Sequence, residues 1–127
     1  MTTPSPLRQR RGAAARRSGR RAEWVAALWL MAKGYRILGM RLQTPQGEVD
    51  LVGLRGEVLA IVEVKQRRSS DEALLAVTAT QRERLRRAGR ALATRLERNK
   101  RLVVRLDLVA LAPGRWPRHI PDAWPDI

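Results

Sequence analysis

The chain has no cysteine and a single histidine, His119. Without thiols there is no disulfide framework, and one imidazole cannot supply the Cys/His set of a structural zinc site. Any metal bound here has to be a hard one held by oxygen ligands. Long apolar runs are missing as well. The longest, Trp24 to Ala32, has nine residues, which is too short to span a bilayer, where about 20 are needed. No small-residue cleavage site follows it, so no secretory signal and no membrane partner are expected. Acidic residues are scarce: 12 Asp and Glu face 26 Lys and Arg, a net charge of +14. Lysine is rarer still, since the basic residues other than Lys33, Lys65 and Lys100 are all arginine.

What is present suits one globular domain of 127 residues, with 44% apolar content and room for a real core. So basic a domain usually meets a polyanion, and nucleic acid is the commonest one. Residues 1–17 mix Pro, Ser, Gly, Ala and Arg without apolar periodicity and read as a disordered basic tail, a candidate phosphate-binding arm. Residues 18–127 hold the domain. A helix is predicted from about Ser18 to Lys33, with Val25, Leu28, Trp29 and Ala32 as its apolar stripe. Strands follow at 35–42, 47–54 and 58–65, then a helix over 78–98 and a strand over 101–111. The order is α-β-β-β-α-β, a mixed sheet packed by helices. Without cysteine or a secretory signal, a cytoplasmic location is expected.

The two clearest strands lie in GEVDLVGLRGEVLAIVEVKQR, residues 47–67, where Glu48, Asp50, Glu63 and Lys65 interrupt the apolar positions. Ionised groups contribute nothing to a core, because burying an unpaired charge costs several kcal/mol. Gly56-Glu57 fits a two-residue type II′ turn, which sets Arg55 opposite Val58. Counting inward, Asp50 then faces Glu63 and Glu48 faces Lys65, all on one side of the sheet. Opposed carboxylates repel unless a cation sits between them, and Mg²⁺ prefers one or two carboxylates plus water and phosphate oxygens. A compact ammonium two residues beyond Glu63 can stabilise developing negative charge, which arginine's planar fork does less well. A surface hairpin with an ordinary Glu48–Lys65 cross-strand pair accounts for the same residues, and both readings stay open.

The pattern Asp50-x12-Glu63-Val64-Lys65, after a helix bearing Glu23, resembles the PD-(D/E)XK nuclease motif, with Val49 in place of the motif's proline. Together with GRRAEWVAALWLMAKGYRIL, AVTATQRERLRRA, RLDLVAL and RHIPDAW, it resembles more narrowly the YraN family of small bacterial proteins. That resemblance implies a restriction-endonuclease-like core of the Holliday-junction-resolvase type. It implies Asp50, Glu63 and Glu23 as ligands of Mg²⁺ or Mn²⁺, Lys65 as the catalytic lysine, and Glu48 as a further acid of the site. The implied reaction is hydrolysis of phosphodiester bonds in DNA, branched DNA included, for which a symmetric homodimer would suit a junction.

Arg67 and Arg68, just past Lys65, are candidate phosphate contacts, and Arg82 and Gln81 join them as candidate nucleic-acid contacts. Gln81 has a second reading, since Thr78-x-x-Gln81 is a capping box. Trp116, His119 and Trp124 are expected to pack the C-terminal stretch onto the domain rather than to stack bases. Two other functions compete with the nuclease: a non-catalytic nucleic-acid-binding protein that keeps the fold, and a ribosome- or partner-associated structural protein.

Overall fold

The computed structural model describes residues 6–97 and 101–125, with side chains from residue 19 onward. Helix α1 (Pro6–Ala32) leads into strands β1 (Arg36–Thr44), β2 (Gly47–Arg55) and β3 (Val58–Gln66). Helices α2 (Ser70–Leu75) and α3 (Ala79–Leu96) follow, then β4 (Val103–Leu111) and a short β5 (Arg118–Ile120). The strands form one sheet in sequence order, and only β3 and β4 run parallel. Antiparallel neighbours need no more than a turn, whereas the parallel pair needs a crossover, which α2 and α3 supply. The expected α/β mixed-sheet domain is thus present, with α2 and β5 added to the predicted order.

α1 begins at Pro6 rather than near Ser18, so residues 6–17, expected in the disordered tail, have helical backbone; residues 1–5 lie outside the described residues. Ala, Arg and Gln favour helix without any apolar pattern, and proline is tolerated at a first helical position. The buried face of α1 also differs from the predicted stripe. Ala22, Ala26, Ala27 and Leu30 face the core, while Val25, Leu28 and Ala32 are exposed and Trp29 is half-buried. Alanine lets the helix backbone approach the sheet closely, so three alanines and Leu30 mark the contact, not Val25, Leu28 or Ala32.

The sheet separates two packing layers. Ala60 and Val62 of β3 pack with Ala26, Ala27 and Leu30 of α1. Leu59 and Ile61, one residue out of phase, pack with Leu85, Ala88 and Ala93 of α3. That alternation puts the two helices on opposite faces of the sheet. In α3, Leu85 and Ala88 are buried, whereas Leu96 is half exposed; Arg98, the last residue of the predicted helix, lies outside the described residues. Gly89 sits at the tightest approach, where a Cβ would stand 2.6 Å from Val104 Cγ1 and 2.8 Å from Ile61 Cγ1. No helix among the described residues is long and apolar enough to cross a membrane.

Candidate active site in a forked hairpin

The β2–β3 turn is the one the sequence predicts. Gly56 has φ +61°, Glu57 does not share that positive φ, and Arg55 pairs with Val58. Those are the marks of type II′. From there the ladder runs to Leu51–Val62 and stops, although both strands continue. Beyond that point the Asp50 carboxylate replaces a backbone acceptor: Val64 N–H donates to Asp50 Oδ2 at 2.9 Å. The hairpin forks here, and α1 comes up against the fork with the small residues Gly19 and Ala22. The resulting cleft of about 270 Å³ is lined by Glu23, Asp50, Glu63, Lys65 and Arg67, among others.

Four of the five predicted catalytic residues therefore line one cleft. Lys65 Nζ lies 3.6 Å from Glu63 Oε1, with both side chains mostly buried. Burial and then the neighbouring Asp50 carboxylate push the Glu63 carboxyl up to about 7, against the opposing pull of Lys65. Burial and a neighbouring carboxylate both disfavour the charged form, so the two act together to raise this carboxyl. Such perturbed groups concentrate at functional sites.

Glu23 arrives already partnered. Arg41 Nε donates to Glu23 Oε2 at 2.6 Å, and that hydrogen bond holds the Arg41 guanidinium above its ordinary range. Arg41 stands on β1 with φ +50°, a left-handed backbone that costs a non-glycine residue roughly 1–2 kcal/mol. Strain of this kind tends to gather at functional sites. Glu48 departs from its predicted place: it is exposed, does not line the cleft, and acts on Arg41 through space instead of pairing with Lys65. The reason is the fork, since the ladder that would set Glu48 opposite Lys65 ends three residues earlier, at Leu51–Val62.

Asp50 and Glu63 fit a hard divalent cation. Two mutually repelling carboxylates open onto a polar cleft, leaving the remaining coordination positions for water and phosphate oxygens. The expected third ligand is not in place. Among the described residues no three acids or histidines stand close enough to share a metal ion, and Glu23 is engaged by Arg41.

The nucleic-acid candidates divide. Arg67 lines the cleft, and Arg67 and Arg68 line the shallow groove that continues from it. Gln81 completes the capping box, accepting from Thr78 N–H at 2.8 Å while Thr78 Oγ1 accepts from Gln81 N–H at 3.2 Å. Arg82 donates to the Val77 carbonyl at 3.3 Å. Neither lines the cleft.

A second polar cluster, around Asp107, leaves no sign in the sequence. Asp107 is wholly buried on β4, its carboxylate taking hydrogen bonds from Arg105 Nε (2.8 Å), Arg105 NH2 (2.7 Å) and Asp122 N–H (3.1 Å), with His119 Nε2 at 2.8 Å. Burial works to raise this carboxyl, but the bonds from His119 and Arg105 prevail and hold it below the ordinary range. Lys33 Nζ donates to His119 Nδ1 at 2.6 Å, so the ring proton sits on Nε2 and faces the carboxylate. This cluster fastens β5 and the C-terminal stretch to the sheet. Trp124 helps, donating from Nε1 to the Leu74 carbonyl at 3.1 Å. Packing thus explains His119 and Trp124, as expected. Trp116 meets the expectation only in part, since its ring stacks on Trp29 of α1 yet stays 82% exposed.

Fold and cleft together define a small α/β domain in which two carboxylates and a lysine meet at the forked end of a hairpin. The model of "Uncharacterised protein family UPF0102" matches residues 22–111, and the chain belongs to that family, which is the YraN family expected from sequence. It is 66% identical to a UPF0102 protein of Caulobacter vibrioides (strain NA1000 / CB15N) over 118 residues, covering 93% of this chain and 94% of the relative. It is 65% identical to one from Caulobacter sp. (strain K31), covering 99% and 96%. A more distant relative from Sinorhizobium medicae (strain WSM419) is 48% identical, covering 84% and 87%.

Proposed function

We propose that the protein is a divalent-cation-dependent endonuclease that hydrolyses phosphodiester bonds in DNA, branched DNA included. One observation carries the reading: Asp50 and Glu63 share one cleft with Lys65, where burial and then the Asp50 carboxylate push the Glu63 carboxyl up to about 7. A core has no use for such a pair. A bound Mg²⁺ or Mn²⁺ would offset the charge of the two carboxylates and polarise the phosphate toward attack. Asp50 and Glu63 would hold that ion. In the hydrolysis, a water oxygen bonds to phosphorus and the bond to one sugar oxygen breaks; the water gives up a proton to solvent and the leaving sugar oxygen takes one from solvent to become a hydroxyl. Lys65, whose ammonium lies at Glu63, faces the negative charge that develops on the phosphoryl oxygens. Arg67, at the rim, supplies a guanidinium for the adjacent phosphate.

A second reading has its own support, since Glu23 is occupied by Arg41 and no third acid completes the set. A non-catalytic DNA-binding protein would keep the fold in this way. Cleavage and binding measured on the same folded variants separate the two. In Mg²⁺, cleavage of a panel of branched and linear DNAs should fall at least 100-fold in Asp50→Ala, Glu63→Ala and Lys65→Ala. In chelator, the two acid variants should bind DNA as well as the parent or better, because less negative charge faces the phosphates. Wild-type protein that binds these DNAs but never cuts them would hand the case to the binding protein.

A further inference from the structure

Next to the cleft lies a chain of depressions that the hydrolysis does not use. The cleft shares Gln66 and Arg67 with a second depression, which shares Arg68 and Ala112 with a third. The third is a cavity of about 330 Å³ on the β4–β5 loop side, walled by Arg68, Ser69, Arg115, Trp116 and Arg118. Asp71 also lines it, one acid against three guanidiniums. Among the described residues, no carboxylate pairs with Arg68, Arg115 or Arg118. Three guanidiniums around one cavity give it a positive potential that draws in an anion.

Trp116 adds a second kind of group. It rests against Trp29, with ring centroids 5.9 Å apart and planes 29° from parallel, yet it remains 82% exposed. One indole face is backed and the other is open to solvent beside the arginines. Cations that follow a backbone, together with an open aromatic ring, are how proteins hold unpaired nucleic acid. A duplex offers no free base face to such a ring.

We propose that this cavity is a subsite for an unpaired nucleotide of the substrate strand. The phosphates run from the cleft along Arg67 and Arg68 to Arg115 and Arg118, and a base stacks on Trp116. The inference rests on the nuclease reading for the identity of the cleft. It narrows the substrate class to DNA with a single-stranded segment adjoining the cut, such as a flap, a tail or an opened branch.

The test is binding in chelator, read by fluorescence anisotropy. The probes are a blunt duplex and the same duplex with an oligothymidine extension on either strand. The wild type should prefer one of the extended duplexes. Trp116→Ala should weaken binding to that probe roughly 5- to 150-fold, leave the blunt duplex nearly unchanged, and be rescued by Trp116→Phe. Arg115→Ala/Arg118→Ala should lower the salt dependence on the extended probe by roughly 1.4 in the slope of log K against log salt. These side chains are exposed, so the variants should keep the wild-type melting temperature. If Trp116→Ala weakens both probes equally, or weakens neither, the subsite is overturned while Mg²⁺-dependent cleavage stands untouched. If wild-type protein binds neither probe, the nuclease reading falls first and the subsite with it.

Discussion

At the scale of single residues, the cleft trades stability for charge. The Glu63 carboxyl, at about 7 in the folded chain, lies above its ordinary 4.5 because of burial and Asp50. Folding therefore favours its protonated form. That contribution is complete below pH 4.5 and is lost as pH rises through 7, by about 3 kcal/mol in metal-free protein. In chelator, the melting temperature of the wild type should fall between pH 5 and pH 8. Glu63→Gln, which cannot ionise, should remove that fall and melt several degrees above the wild type at pH 8. At pH 4.5 the two should melt alike. Parallel melting curves across the range would mean that Glu63 and Asp50 do not repel, and the carboxylate pair would lose its meaning as a cation site. The Asp107 carboxyl, held low by its hydrogen bonds, has the opposite sign and contributes above the ordinary carboxylate range. The two effects separate by pH.

At the scale of elements, what could be read from sequence depended on how local the signal was. The hairpin was legible because Gly56 sets the turn, and strict alternation then fixes which charges share a side. Its fork was not legible, because it depends on the Asp50 carboxylate capturing the Val64 N–H; for that reason Asp50 and Glu63 were placed correctly and Glu48 was not. α2 was missed although Ser69 caps it by accepting from Glu72 N–H, a Ser-x-x-Glu signature overlooked for want of an apolar run. β5 has three residues, too few for any period to show. Arg41 holding Glu23 is a side-chain contact between two elements, and one arginine among many gives no sign of it.

Gly89 shows how element packing can reverse a local preference. Alanine is the better helix former by about 1 kcal/mol, and α3 is otherwise regular. Yet the Cβ of Gly89→Ala would meet Val104 and the inner Cγ1 of Ile61, neither the end of a flexible chain. The helix would have to lift from the sheet or the core rearrange, at a cost of roughly 1–3 kcal/mol. Gly89→Ala should therefore lower the denaturation midpoint in urea, whereas Ala91→Gly on the exposed side of α3 should cost only the propensity term. A Gly89→Ala protein as stable as the wild type would mean that α3 packs further from β3 and β4 than described.

At the scale of the whole molecule, charge is distributed along a line that begins at the cleft. The first 22 residues carry seven arginines and no acid, half of the net +14. All seven arginines belong to α1, the helix that brings Gly19, Ala22 and Glu23 to the fork. At 1.5 Å per residue, the backbone from Glu23 back to Arg8 extends roughly 22 Å, enough to follow a duplex for about half a turn beyond the site. Such an arm holds substrate without touching the reacting atoms. Removing residues 1–17 deletes five of the arginines. Affinity for duplex DNA should then drop, and the slope of log K against log salt should become shallower by up to about 4.5, at roughly 0.9 per lost phosphate contact. The rate of Mg²⁺-dependent cleavage at saturating DNA should stay within a few-fold of the full-length value, because the cleft residues all follow the cut point. Titrations at several salt concentrations measure the first effect and single-turnover cleavage the second. An unchanged slope would assign the phosphate contacts to the arginines around the cleft alone. A truncated protein that still binds tightly but no longer cleaves would mean that the first half of α1 does more than hold substrate.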